Sequence, residues 1–265
     1  MDGIGEQALK AADPKAPDQR LIRTETIRRG TDPAPVQKTE ENMINIAIDG
    51  PAGAGKSTIA KKVAAEKNYI YVDTGAMYRA MALYLLRSGI DREDAAAISA
   101  ACGKPEITIE YRDGIQVVLL DGENVNEFLR TPRVSDMASR SSANPDVRAK
   151  LLELQKDLAR RENVVLDGRD IGTVVLPDAQ VKIFLTASVD VRADRRYREL
   201  IEKGEKADLD EIRAQIKERD ERDMNRPISP LKQAEDAVLV DTSDMTIDEV
   251  TQRILEIVKE KTSLI

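Results

Sequence analysis

Residues 43–58 read Met43-Ile44-Asn45-Ile46-Ala47-Ile48-Asp49-Gly50-Pro51-Ala52-Gly53-Ala54-Gly55-Lys56-Ser57-Thr58, and this stretch decides the fold. Ile44 to Ile48 is an apolar run of strand length, and Lys56 to Glu66 carries a helical pattern. Between them, Gly50 to Ser57 matches G-x-x-x-x-G-K-[ST] in the strand-then-helix context that the motif requires. Its glycines let successive N–H groups turn inward toward phosphate oxygens, and the following helix N-terminus adds partial positive charge. Gly50, Pro51, Ala52, Gly53, Ala54 and Gly55 are therefore expected to cradle the phosphates of a nucleoside triphosphate. Lys56 would bridge the β- and γ-phosphates, Ser57 Oγ would ligate Mg²⁺, and Thr58 adds a phosphate contact from the first turn. Asp49, just before the loop, reads either as a support behind the metal or as a turn-forming acid.

Outward from this loop, short apolar strands alternate with helices. Tyr69 to Val72 reads as a strand, and Ala76 to Arg87 as a helix with Met77, Ala80, Met81 and Tyr84 at helical spacing, closed by Gly89. Val164 to Leu166, Val181 to Leu185 and Ala237 to Val240 complete the strands. The alternation, with the phosphate loop, predicts an α/β P-loop fold, three layers α/β/α around a parallel sheet. Asp167 ends the third of these strands, where an acid can hold a Mg²⁺-bound water. One segment departs from the alternation. Glu106 to Tyr111 and Ile115 to Leu120 flank Asp113-Gly114, a hairpin signal, so a small antiparallel β insert spans about residues 104–130. Thr246-Ile247-Asp248-Glu249 is a capping box opening the last helix.

Composition narrows the chemistry. The 265 residues contain no His and one Cys, which excludes a Ser-His-Asp or Cys-His nucleophile, a His-based zinc site and an internal disulfide. Any metal should be held by oxygen, and a cytoplasmic address is expected. The formal charge of −7 argues against non-specific nucleic-acid binding. No run of about 18 apolar residues is present, so no membrane span is expected. Residues 1–42 hold four of the eleven prolines and seven basic against eight acidic residues, without a sustained apolar period. They read as a flexible tail, with a short helix around residues 19–29, preceding a single domain over 43–265. Whether the tail is functional or an upstream extension stays open.

Arginines are scattered where other nucleotide-binding classes carry signatures. Neither N-K-x-D nor a transporter-type signature loop occurs. Arg219, Arg222, Asp223 and Arg226 fall on one helical face by their three- and four-residue spacing. From Arg192 to Arg226, eleven basic residues face eleven acidic ones, so charge alone reads as a salt-bridged surface helix.

From Met43 to about Val258, the chain resembles bacterial cytidylate kinase, a nucleoside monophosphate kinase. The resemblance rests on IDGPAGAGKST, DTGAMYR, DGRDIGTVV, VKIFLTAS and IKERDERDMNR, in that order. It implies a P-loop fold of the kinase type, in which the β insert is the family's enlarged monophosphate-binding region and residues 190–230 form a helical lid. It also implies that Arg79, Arg169 and Arg226 contact the acceptor phosphate and that Arg219 and Asp223 hold the ribose. Ser139, Arg148 and Asp170 would read cytosine. Thr74 stands where some relatives carry Ser and keeps a hydroxyl for a phosphate or ribose contact.

The implied reaction is transfer of the γ-phosphoryl of ATP to CMP or dCMP by a monomer. Lys56, Arg169, Arg226 and Arg222 would be catalytic, with Ser57 and Asp167 at the metal. Arg192, Arg195 and Arg196 are further candidates for the ATP side. The alternatives are a kinase for UMP, AMP or another small acceptor, and an ATP-dependent regulator that phosphorylates nothing.

Overall fold

The computed structural model describes residues 43–112 and 114–263. The tail and the helix expected around residues 19–29 lie outside these residues. Strand β1 (Asn45–Asp49) sits at the centre of a five-stranded sheet. Its neighbours are β6 (Val164–Gly168) and β7 (Val181–Thr186), with β2 (Ile70–Asp73) beyond β6 and β8 (Val238–Asp241) beyond β7. Every pairing in this sheet is parallel.

Alternation along the strands supplies two apolar faces. Ile46 and Ile48 join Val165 and Ile183 on one face, covered by α1 (Lys56–Lys67) through Ile59 and Val63 and by α8 (Ile247–Thr262) through Val250 and Ile254. Ala47, Val72 and Leu166 point the other way. There they meet Met77, Met81 and Leu85 of α2 (Thr74–Arg87) and Leu151 of α5 (Pro145–Arg161). The three-layer α/β/α arrangement is therefore present. The capping box at α8 forms as expected, with Thr246 and Glu249 each satisfying the other's backbone N–H.

Two further helices, α3 (Ala95–Cys102) and α4 (Pro132–Ser141), flank the insert. The insert is an antiparallel sheet of β3 (Ile107–Arg112), β4 (Ile115–Leu120) and a two-residue β5 (Glu123–Asn124). Arg112 pairs with Ile115 across a two-residue turn in which Gly114 takes φ 76°, the conformation that glycine alone adopts freely. Side chains tie this insert to the free edge of β2. The Asp73 N–H donates to Gln116 Oε1 at 2.8 Å, Gln116 Nε2 donates to Asp73 O at 3.2 Å, and the Tyr111 hydroxyl donates to Tyr71 O at 3.0 Å. The expected lid is a helical hairpin of α6 (Val189–Glu202) and α7 (Leu209–Asn225), capped by Ser188 and Asp208.

Two boundaries beside the site differ from expectation, and one element is added. Helix α2 begins at Thr74 because Asp73 caps it, accepting from Ala76 N at 2.9 Å. Strand β6 runs on through Gly168, because its main chain pairs with β1 and β2 that far, placing Asp167 inside the sheet opposite Asp73. A π-helical turn follows at Ile171–Val175, which apolar periodicity does not announce.

Ile254 is fully buried between α8 and the sheet. Ile254→Ala should lower unfolding free energy by about 2–5 kcal/mol. Urea denaturation should show a lower midpoint with an unchanged slope.

Candidate active site

The C-terminal ends of β1, β2 and β6 open onto a cleft of about 960 Å³. The phosphate loop forms one wall. Gly50, Gly53 and Gly55 all have positive φ, at 149°, 78° and 88°. At Gly50 a Cβ would lie 1.9 Å from the Leu185 carbonyl oxygen, so this position is closed to any side chain. Gly55 N-caps α1 without a side-chain cap, which leaves the helix's leading N–H groups free to bind an anion. Ala52 to Thr58 line the cleft, whereas Gly50 and Pro51 shape the turn from behind. Lys56 curls back over the loop and donates to Pro51 O at 2.7 Å. Burial, then Arg169 nearby, pushes the Lys56 ammonium well below its ordinary range.

Asp167 is held by three groups. Ser57 Oγ donates to its Oδ2 at 2.8 Å, the Tyr71 hydroxyl to its Oδ1 at 2.9 Å, and Thr74 Oγ1 to its backbone oxygen at 2.7 Å. Burial, then Asp73 beside it, raises the carboxyl above its usual range. Two hard oxygen donors thus converge beside the phosphate loop. This suits Mg²⁺, which keeps most of its water and takes further oxygens from phosphates. Among the described residues, no group of three His, Cys, Asp or Glu could hold a metal without such help.

Asp49 holds backbone. Its oxygens accept from Ile171 N at 2.8 Å and Gly172 N at 2.7 Å, anchoring the π-helical turn that follows the Asp167-Gly168-Arg169-Asp170 stretch. Of the two readings from sequence, the structural one describes its contacts.

Arginines furnish the opposite wall. Arg169 Nε pairs with Asp223 at 2.9 Å, and Arg79 rests on Asp73 at 3.0 Å. Arg148 pairs with Asp170 and donates to Ser229 Oγ at 3.1 Å, while Arg226 donates to Ser229 O and lies 3.6 Å from Asp170. Burial weakens the proton hold of Arg219, with Arg169 adding repulsion, and lowers its pKa to about 10. Burial raises the Asp223 carboxyl, but Arg169, Arg219 and Arg226 together draw it below the ordinary range. Ten basic and six acidic residues line the cleft, so it is positive inside an acidic chain. Arg79 Nε, Arg219 Nε and Arg226 Nη2 are buried without a hydrogen-bond partner.

The family model for cytidylate kinase matches residues 46–260. The chain belongs to the cytidylate kinase family. It is 51% identical over 214 residues to the cytidylate kinase of Caldicellulosiruptor saccharolyticus, covering 81% of this chain and 95% of that one. To that of Carboxydothermus hydrogenoformans it is 48% identical over 222 residues, 84% and 100% of the two chains. To that of Shouchella clausii it is 49% identical over 216 residues, 82% and 96%. This family member is accordingly a nucleoside monophosphate kinase with a P-loop kinase fold.

The cleft brings together Lys56, Ser57, Thr58, Thr74, Arg79, Ser139, Arg148, Asp167, Arg169, Asp170, Arg219, Asp223 and Arg226. Arg222 alone among the site residues read on the α7 face does not line it. Its guanidinium donates to Ser139 Oγ at 3.1 Å and pairs with Glu218. Thr74 spends its hydroxyl proton on Asp167 O. Arg192 is a strut, reaching Ala52 O at 3.0 Å, Ala187 O at 2.9 Å and Asp220 at 2.7 Å. Arg192, Arg195 and Arg196 all border the cleft. Sequence reasoning missed Arg130, which lines the cleft from the end of the insert 3.5 Å from Asp73. It also missed Tyr71, although Tyr71 and Asp73 alternate onto one face of β2.

Burial lifts the Asp49 carboxyl to about 6, although two backbone N–H groups oppose it. The folded state then holds this proton more tightly than the unfolded chain does, so Asp49's contribution to stability falls as pH rises from about 4 to about 6. Unfolding free energies of the wild type and Asp49→Asn, measured from pH 4 to 7, should show the wild-type advantage shrinking with pH.

Proposed function

We infer that the chain transfers the γ-phosphoryl group of ATP to CMP or dCMP, giving ADP and CDP or dCDP. The observation that carries this reading is the set of three buried guanidinium nitrogens left without an acceptor, Arg79 Nε, Arg219 Nε and Arg226 Nη2, in the cleft opened by an uncapped helix N-terminus. A buried donor without an acceptor costs about 1–3 kcal/mol, so three together imply an anionic ligand that supplies the missing acceptors. The free N–H groups of α1 and Lys56 suit the triphosphate, and Arg79, Arg169 and Arg226 the acceptor phosphate.

The attacking atom is a phosphate oxygen, already anionic near neutral pH, so no strong general base is needed and the lack of His is no obstacle. Binding of the acceptor would exchange carboxylate partners for phosphate oxygens at Arg79 and Arg169. Both side chains are then fixed in place beforehand and need no long excursion. Mg²⁺, held by Ser57 and through water by Asp167, would neutralise charge on the β- and γ-phosphate oxygens. For the base, Asp170 accepts from the exocyclic N4 amine, Arg148 donates to N3 and O2, and Ser139 adds a hydroxyl. Uracil would set its O4 against the Asp170 carboxylate. Arg219 and Asp223 face the cleft where a ribose bridging phosphate and base would lie. Arg222 reaches the transferring group only if the α6–α7 hairpin closes further, a movement that also excludes water.

We take the chain to work as a monomer in the cytoplasm on small nucleotides, and its net charge of −7 disfavours nucleic acid as the partner. No described helix is long and apolar enough to cross a membrane.

An ADP-release assay across CMP, dCMP, UMP and AMP should rank the cytidine acceptors first; a preference for UMP or AMP would overturn the base assignment. Arg169→Ala should lower kcat/KM for CMP by about 10²–10³-fold, with ATP affinity by titration calorimetry changed less than about twofold.

A further inference from the structure

We propose that Tyr71 is a positioning residue for phosphoryl transfer, its phenol fixing the rotation of the Asp167 carboxylate. The proposal rests on the reading of Asp167 as the acid at the metal.

The placement follows from register. Tyr71 pairs with Val165 and Asp73 with Asp167, and side chains two residues apart share a face, so the Tyr71 ring reaches one step along to Asp167. Its hydroxyl donates to Oδ1 at 2.9 Å while Ser57 Oγ donates to Oδ2 at 2.8 Å. The ring and the backbone that carries it each have one further contact. Lys61, one helical turn after Ser57 on α1, places its Nζ 5.5 Å from the ring centroid, and the Tyr71 carbonyl accepts from Tyr111 of the insert at 3.0 Å.

A carboxylate rotates readily about its terminal torsion, so one hydrogen bond does not fix it. Ser57 can offer an oxygen lone pair to a metal while its proton stays on Oδ2, which ties one end of the carboxylate. Tyr71 supplies the second donor, on Oδ1, and the two together set the rotation of the group. A phenol suits this position because burial keeps it protonated and therefore a donor.

Tyr71→Phe keeps the ring and removes one hydrogen bond. ADP affinity should be measured by titration calorimetry in Mg²⁺ and in EDTA, beside steady-state turnover against Mg²⁺ concentration. The gain in affinity conferred by Mg²⁺ should fall about 10-fold, and the Mg²⁺ concentration for half-maximal turnover should rise by a similar factor. ADP affinity in EDTA and the KM for CMP should stay at wild-type values. Asp167→Asn should itself abolish the Mg²⁺ gain, and adding Tyr71→Phe to it should change nothing further. A wild-type Mg²⁺ gain in Tyr71→Phe would overturn the proposal. So would an equal loss in Mg²⁺ and in EDTA, which marks general loosening. If Asp167→Asn retained the Mg²⁺ gain, the metal reading would fail first and the proposal with it.

Discussion

The parallel register of β2, β6 and β1 is the constraint on which the site depends. It pairs Asp73 with Asp167 and sets Asp49 one residue further along, opposite Gly168, so three acids gather at the same end of neighbouring strands. The three then diverge in what they hold. Asp73 caps α2 and receives Arg79, Asp167 receives Ser57 and Tyr71, and Asp49 anchors the turn that follows Arg169 and Asp170. Strand ends in a parallel sheet are where ligands enter, because loops leave the sheet there and helix N-termini point inward. A slip of one residue in β6 would turn Asp167 to the opposite face and dissolve the arrangement.

Charge in the cleft is balanced rather than accumulated. Arg169 is held by Asp223 and Arg148 by Asp170, so the arginines are oriented while the cleft as a whole stays positive. Ion pairs this deep yield little net stability, since desolvation offsets much of the attraction. Their value lies in orientation. A guanidinium resting on a carboxylate presents its remaining donors in a fixed fork, ready for a second anion.

Much of this was legible in the sequence because it is local. The phosphate loop, the strand alternation, the Asp113-Gly114 hairpin and the capping box each occupy a few consecutive residues whose chemistry permits one conformation. What was not legible depends on contacts across the chain. Asp49 could not be assigned without knowing that Ile171 and Gly172, far along the chain, lie beside it. Arg192 and Arg222 are chemically indistinguishable from their neighbours until the fold places one against Ala52 O and the other against Ser139. Strand β6 looked too short because Asp167 and Gly168 are not apolar, and only main-chain pairing keeps them in the sheet.

The seat of Gln116 has a consequence for how the molecule keeps to itself. An edge strand offers unpaired main-chain groups to any other extended chain, and β2 is such an edge. The Gln116 side chain, with its own amide N–H and C=O, occupies the Asp73 peptide as a neighbouring strand would, and Tyr111 takes the Tyr71 carbonyl. The insert thereby shields this border from intermolecular strand addition, using one borrowed amide where a whole further strand would otherwise be needed.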